Sequence, residues 1–520
     1  MANKLAKIRF EDVAIVMDPA LDQVAVAKRA LRAGEIIAFK DSTVKTARPV
    51  AKGHRFAVRD IHKGEFVRQY GYAFGCSRGI RAGETITAKN MESRVPKASL
   101  TSFKAPRPTD YDPGLISRTF LGYRRQDGKA GTRNYYLIVP TSMCASETCR
   151  QIAEEMSARV GRLKKFPAVD GIVAVPHTEG CGCDTTVSID RLLRVLKGYI
   201  SHPNVGGCLI VDLGCEQTNY AMVSRHMNGN RALDRRPIDW LTIEASGGVE
   251  STKAKARAII EKRLPAVSRL KRTPCPLGSL VLGTECGASD SFSGITANPL
   301  IGNVADKIIR AKGSAIMSEI PEMVGTLAML QARFRSKQVA KKFMAAIAWY
   351  EDLASRMGVD LSDNLVPKNI EGGLANSYIK SLGAVFKGGT TAIEDVVDYG
   401  VALKKPGLSI MQGPGGDLES VTGLVASGAN VVCFSTGQGT PTGNAICPVI
   451  KISSNNEVFA KLSQDMDFNA GRLLSERKSI NGLGDELLEL IIAVASGKKT
   501  AAERSGQRQF QIWTAGKLSL

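Results

Sequence analysis

The sequence predicts an α/β protein built on mostly parallel strands, and three observations carry that prediction. From Tyr135 onward, apolar runs of strand length alternate with longer amphipathic stretches, as in successive βαβ units. Most of these runs empty into loops of Gly, Ser, Thr, Asn or Cys, the composition expected where ligands bind outside the carboxyl ends of strands. At 520 residues the chain exceeds what one hydrophobic core supports, so two or three domains are expected.

The first 93 residues depart from this pattern and read as mostly β. Val13–Met17 and Gln23–Val26 are short apolar runs, and turns at Ala33-Gly34, Lys52-Gly53, Lys63-Gly64 and Ala82-Gly83 each lead into a β-type stretch. That spacing predicts a small antiparallel module, with His54 in one of its hairpins. Pro96, Pro106, Pro108 and Pro113 then mark a linker. An arm from Gly122 to Asn134 follows, whose Arg124, Arg125 and Arg133 suit a carboxylate clamp or a plain basic surface.

Beyond the arm, Tyr135–Pro140 leads to Cys144, Gly171–Pro176 to His177 and Cys181, and Cys208–Leu213 to Gly214-Cys215-Glu216. Leu280–Gly283 leads to Cys286, Ser289, Asp290, Ser291 and Ser293. Ser314–Ser318 leads to Glu319, Leu408–Met411 to Asp417, and Val431–Phe434 to a loop with Thr436, Gly437, Gly439 and Thr440. These alternations describe a Rossmann-like sheet. Four strand ends thus deliver Cys144, Cys181, Cys215 and Cys286, and they are expected to converge on one crevice. Thiols with an imidazole suit iron or zinc, whereas any single one of them reads as packing. No loop carries Gly-x-Gly-x-x-Gly with an acidic residue about 20 positions on, which disfavours a dinucleotide.

Composition narrows the class. No apolar run approaches the roughly 18 residues of a membrane span, and Lys4, Lys7, Arg9, Glu11 and Asp12 leave no signal-peptide core, so a cytoplasmic protein is expected. The eleven cysteines are then thiols or metal ligands rather than a disulfide framework. A balance of 70 Lys+Arg against 50 Asp+Glu gives +20, but the basic residues are dispersed and aromatics make up only 6%. This favours a small anionic substrate over nucleic acid.

Several motifs together carry a family resemblance. Gly122-Tyr-Arg-Arg with Gly131-Thr-Arg-Asn134, His177-x-x-Gly-Cys-Gly182, Gly214-Cys-Glu216, Cys286-Gly-x-Ser-Asp290 with Gly294-x-Thr-Ala-Asn-Pro299, and Thr436-Gly-x-Gly-Thr-Pro441 resemble the altronate/galactarate dehydratase family of sugar-acid hydro-lyases. Gly372–Asn376 and Ala495–Lys499 resemble its galactarate branch in particular. The resemblance covers nearly the whole chain. It implies a β-clip (SAF-like) domain over 1–93, a linker over 94–117, a middle α/β domain over 118–270 that can dimerise, and a C-terminal Rossmann-like domain over 271–520. It also implies ferrous iron, with Mn²⁺ or Ca²⁺ able to occupy metal sites. The chain departs from the altronate pattern at Thr87-Ala-Lys89-Asn90, where His-x-His-Asn stands in those enzymes, and from the galactarate branch at Thr442. His54 matches its motif, while Cys149 and Cys183 fall outside the pattern.

Dehydration sets the roles to be filled. Removing the proton beside a carboxylate builds an enediolate, a divalent cation stabilises that charge, and an acid assists the departing hydroxyl. The product tautomerises to a 2-keto-3-deoxy acid. On this reading His177, Cys181 and Cys286 lie closest to the metal, with Cys144 and Cys215 next. His54, His177 and Glu216 are acid/base candidates, and Asp290 is either ligand or base. Ser289, Ser291, Ser293, Thr436, Gly437, Gly439 and Thr440 would bind substrate oxygens, and Arg133 and Lys451 would pair with the carboxylate. Two alternatives stand beside it: an iron–sulfur dehydratase using three or four of the cysteines, and a non-enzymatic anion-binding protein.

Overall fold

The computed structural model describes residues 7–100, 103–163, 165–182, 187–227, 236–361, 364–476 and 478–514. Cys183 lies outside them.

The N-terminal region is the small antiparallel module expected. Val24–Ala27 pairs with Ala14–Ile15 and Arg55–Ala57, Ile36–Phe39 with Ser42–Lys45, and Phe66–Gln69 with Tyr72–Ser77. Its four recurrent turns place Gly34, Gly53, Gly64 and Gly83 at φ between +81° and +87°. Glycine populates that left-handed backbone without a Cβ penalty, which is why these turns could be read from the sequence. Val24, Ile61, Val67 and Phe74 of this module share one hydrophobic cluster with Leu374, Ile379 and Leu382, so it is seated on the C-terminal region.

The remainder holds two parallel sheets rather than one. The first contains β1 (Tyr135–Pro140), β2 (Gly171–Ala174), β3 (Val205–Asp212) and β4 (Ile238–Thr242), ordered β2-β1-β3-β4. Helices α1 (Met143–Leu163), α2 (Val187–Ile200) and α3 (Val249–Ser268) flank it. The second contains β5 (Val281–Gly287), β6 (Ser314–Met317), β7 (Ile393–Val397), β8 (Gly407–Met411), β9 (Val431–Thr436), β10 (Val449–Ser453) and β11 (Phe468–Asn469). Their order is β7-β8-β6-β5-β9-β10-β11, and every neighbouring pair is parallel. Between the sheets, Thr273–Pro276 pairs antiparallel with Thr119–Arg124, which ends the first sheet and turns the chain into the second.

The apolar runs account for this layering. β1, β3, β5 and β9 are buried on both faces, apart from half-buried Val281 at the start of β5, as expected of strands covered by helices on each side. Leu137, Val139, Leu196 and Tyr199 of the first unit join Leu282, Leu424, Ala426 and Phe434 of the second in one core. Gly198 of α2 packs against the Ala426 carbonyl at the end of α4 (Asp417–Ala426), where a Cβ would collide. The two sheets are therefore locked together, but each keeps its own carboxyl edge. In the first, the strand order reverses between β1 and β3; in the second, it reverses between β5 and β9. Ligand crevices form at such reversals.

Candidate active site

The carboxyl edge of the second sheet gathers buried charge. β5 ends with Glu285 and Cys286, both sealed from solvent. The chain leaving β6 turns at Glu319, whose φ of 70° and ψ of 59° put a non-glycine residue in the left-handed region, and continues into the 3₁₀ turn Ile320–Met323 that carries Glu322. Such a backbone costs roughly 1–3 kcal/mol and persists only where its surroundings impose it. Lys387 arrives from the turn Val385–Gly388, and Lys380 from the helix Ser377–Ala384.

These groups bond one another. The Cys286 thiol donates to Glu322 Oε2 at 3.3 Å, and Lys387 Nζ reaches Cys286 Sγ at 2.9 Å and pairs with Glu319. Lys380 pairs with Glu322 at 2.7 Å, and Ser420 Oγ donates to Glu285 at 2.6 Å. Burial and then the neighbouring Glu319 push the Glu285 carboxyl well above the usual carboxylate range. Burial likewise raises Glu319 to about 8, against the opposing pull of Lys387. Burial also lifts Glu322, but Lys380 and Lys387 outweigh it and hold this carboxyl below its ordinary value.

Beside this cluster lies a second pair. Lys451, on β10, is fully buried with Nζ 3.5 Å from the centre of the Phe434 ring, and that Nζ has no hydrogen-bond partner among the described residues. Burial lowers it to about 7, with Asp417 and Glu285 opposing. Asp417, at the start of α4, is raised to about 6 by burial and then by Glu322. A buried ammonium brought down and a carboxyl brought up to nearly the same value form an acid/base pair poised near neutrality.

The loops after β5 and β9 close over this edge. Gly437 N donates to Ala288 O at 3.1 Å, and Asp290 lies where a Gly437 Cβ would be. Asp290 accepts from Ser293 N, Ser293 Oγ, Ser454 Oγ and Asn455 Nδ2 at 2.8 to 3.0 Å, so it organises its own loop. Thr436 Oγ1 accepts from Gly439 N at 3.0 Å, and Thr440 bonds Thr442. The N-terminal module covers the crevice. Buried Arg55 donates to Ser291 Oγ at 2.8 Å and to Gly373 O at 2.7 Å, while His54 Nε2 lies 3.4 Å from Glu371 O. Arg55, Tyr70, Ser289, Asp290, Ser291 and Lys380 face the remaining space, about 10 Å³, which holds no more than one water.

Several sequence-based expectations are corrected. The four cysteines do not share one crevice: Cys286 lies on the second sheet, while Cys144, Cys181 and Cys215 follow strands of the first. Strand-then-loop patterning is the same in both sheets, so it could not separate them. His177 has both ring nitrogens engaged with the main chain in this arrangement. Its Nε2 donates to Pro140 O at 2.9 Å and its Nδ1 accepts from Glu179 N at 3.2 Å, which occupies both ring nitrogens. Glu216 is likewise engaged, accepting from Thr141 Oγ1, Ser142 Oγ, Leu213 N and Gly214 N at 2.7 to 3.1 Å. Arg133 points inward rather than to a crevice: its guanidinium is buried and pairs with Glu503 at 2.6 Å, and its remaining donors bond the carbonyls of Thr132, Val494 and Lys498. Glu319, Glu322, Asp417, Lys380 and Lys387 were not among the expected site residues. Glu319 and Asp417 did stand directly after predicted strands; Glu322 and the two lysines had no comparable signal.

Comparison with known proteins agrees along the chain. Residues 13–94 match the altronate/galactarate dehydratase SAF domain, residues 122–268 the second domain of D-galactarate dehydratase/altronate hydrolase, and residues 277–518 the C-terminal domain of D-galactarate/altronate dehydratase. Altronate dehydratase of Escherichia coli (strain K12) is 32% identical over 96% of this chain and 98% of its own length. Altronate dehydratase of Bacillus subtilis (strain 168) is 30% identical over 95% and 97%. Galactarate dehydratase (L-threo-forming) of E. coli is 32% identical over 86% and 87%.

Proposed function

The chain belongs to the altronate/galactarate dehydratase family and is a sugar-acid hydro-lyase; from that premise we propose that its reaction takes place at the buried edge of the second sheet, between Cys286, Glu319, Glu322, Asp417 and Lys451. The observation that carries this reading is the enclosed cluster itself, where acids, a thiol and ammonium groups stay buried at a strand-order reversal. Burying so many ionisable groups costs several kcal/mol each unless they are paired, and packing does not require them.

Cys286, Glu319 and Glu322 bring one sulfur and two carboxylate ligand atoms within 4.8 Å of one another. Mixed sulfur and oxygen donors suit ferrous iron and also accept Mn²⁺. The fit rests on the donor set, one thiol and two carboxylates that are all buried and converge on one another. When bound, such an ion supplies Lewis-acid stabilisation of the enediolate. Lys387 bridges Cys286 and Glu319, so it competes with a cation for the same two donors.

The protein's own groups do the rest. Neutral Lys451 takes the proton beside the substrate carboxylate, and protonated Asp417 gives one to the departing hydroxyl. The closed space beneath the N-terminal module has room for no more than one water, so the acid enters with that module displaced; Arg55 and Lys380 then supply positive charge for its carboxylate, and the Ser289–Ser293 and Thr436–Thr440 loops contact its hydroxyls. Asp290 holds the two loops in register, and His54 stands at the module boundary. The substrate is an aldarate such as galactarate or an aldonate such as altronate, handled in the cytoplasm by a homodimer. Among the described residues no helix is long and apolar enough to cross a membrane.

A panel of aldarates and aldonates, incubated with the protein, Fe²⁺ and a reductant and assayed for 2-keto-3-deoxy acids, tests this reading. Turnover of one acid that disappears in Lys451→Met supports it; no turnover of any acid, or an unchanged rate in that variant, refutes it.

A further inference from the structure

The carboxyl edge of the first sheet carries three thiols for which the proposed reaction has no use. Cys144 lies in the first turn of α1, Cys181 follows β2, and Cys215 follows β3. Cys144 and Cys215 are exposed and Cys181 is half-buried. Buried cysteines act as small hydrophobes, but exposed ones gain nothing from packing. Cys181, Cys215 and Glu216 all lie close enough to act on the Cys144 thiol electrostatically.

The loops that bear these thiols are fastened to one another by buried groups. Glu216, next to Cys215, accepts from Thr141 and Ser142, which precede Cys144. Thr218 Oγ1 donates to Thr141 O at 2.6 Å and to Gly180 O at 3.2 Å. Gly180, next to Cys181, has φ of 91° and sits where any Cβ would strike Thr141 O and Thr218 Oγ1. His177 ties the same loop to Pro140. Three loops are thus held in one arrangement by their own hydrogen bonds, and the thiols stand on the solvent side of it.

We propose that Cys144, Cys181 and Cys215 hold a four-iron, four-sulfide cluster at this edge, with the fourth iron open to solvent or to a small anion. The three sulfurs do not all come within 4.8 Å of one another, as a single ion would require. Among the described residues, the group that brings three ligand atoms within 4.8 Å is Cys286, Glu319 and Glu322, not these cysteines. One tetrahedral ion with metal–sulfur bonds of about 2.3 Å needs sulfurs roughly 3.8 Å apart. Thiolates on separate corners of a multi-iron core stand wider. The amino end of the 21-residue helix α1 faces Cys144 and favours the anionic assembly. Assembly from two ferrous ions, two ferric ions and four sulfides needs no further oxidant, and each thiol releases its proton as its sulfur bonds iron.

The test uses the full chain, purified without oxygen or reconstituted with iron and sulfide. Iron, acid-labile sulfide and visible charge-transfer absorption are measured on the protein and on C144S, C181S, C215S and C286S. About four iron and four sulfide per chain are expected above any iron held at Cys286. The absorption and sulfide should vanish in C181S and in C215S, with misfolding excluded by an unchanged Tm of the metal-free proteins, and should persist in C286S. Zinc alone, a metal-free Cys144–Cys181 disulfide, absence of labile sulfide, or absorption that survives in the triple serine variant overturns the proposal. Sugar-acid turnover is scored separately, so either reading can fail without the other.

Discussion

The two carboxyl edges of this molecule share an architecture and differ in almost everything else. Both stand at a strand-order reversal in a parallel sheet, and both receive a cysteine from a central strand. The edge of the first sheet is open, and its thiols face water while Glu216, Thr218 and His177 hold the loops from behind. The edge of the second is sealed beneath the N-terminal module, and its thiol bonds buried carboxylates and ammonium groups. Position in the fold therefore says where a ligand binds, whereas burial says which chemistry the groups there can perform. In water an ammonium near Asp417 would simply stay charged; enclosed, Lys451 falls to about 7.

The largest expected effect lies at the sealed edge. Lys451→Met should lower kcat by about 10² to 10⁴, the usual contribution of a general base, while C144S leaves the proton-transfer step intact; steady-state rates on the accepted acid check the contrast. Next is Arg133→Met, which breaks a buried ion pair away from both edges. It should cost about 3–5 kcal/mol of stability, seen as a lower denaturation midpoint, with KM unchanged in the protein that remains folded. A raised KM instead would restore Arg133 as a substrate clamp.

A subtler difference concerns pH. The base must lose its proton near 7 and the acid keep one near 6, so kcat/KM should peak between these values and fall on both sides. For stability Lys451 acts with the same sign as it does on the base limb of the rate profile. Lys451 falls from 10.5 to about 7 on folding, so between those values the unfolded chain binds more protons and stability rises with pH. Lys451→Met should thus raise Tm more at pH 6 than at pH 9, in thermal scans of the metal-free protein. The smallest effect is expected for His177→Gln. That variant should lose some stability through its buried hydrogen bonds, on the order of 1–2 kcal/mol, yet keep the acid and base limbs of the pH profile.

Much of the fold was legible. The glycine turns of the N-terminal module and the alternation of apolar runs with helices each have a local cause that sequence displays. The division into two sheets was not legible, because it depends on Thr273–Pro276 pairing back to Thr119–Arg124, a contact between distant segments. The site was readable in part. Cys286, Asp290 and Lys451 stand in or beside strand ends and were singled out, although Asp290 proves to brace a loop. Glu322 and Lys387 lie on short 3₁₀ turns without periodicity, and nothing in their neighbours marks them. His177, Glu216 and Arg133 looked chemical because polar residues beside glycines do, yet their hydrogen bonds go inward.

Glu319 is the residue whose shape and substance disagree. Its main chain, at φ 70°, is one glycine would adopt without protest, and the carboxylate is what keeps that corner tense. A glycine there would ease the main chain yet strand buried Lys387 without its partner, which means the corner is held bent by the rest of the molecule for the sake of an oxygen atom.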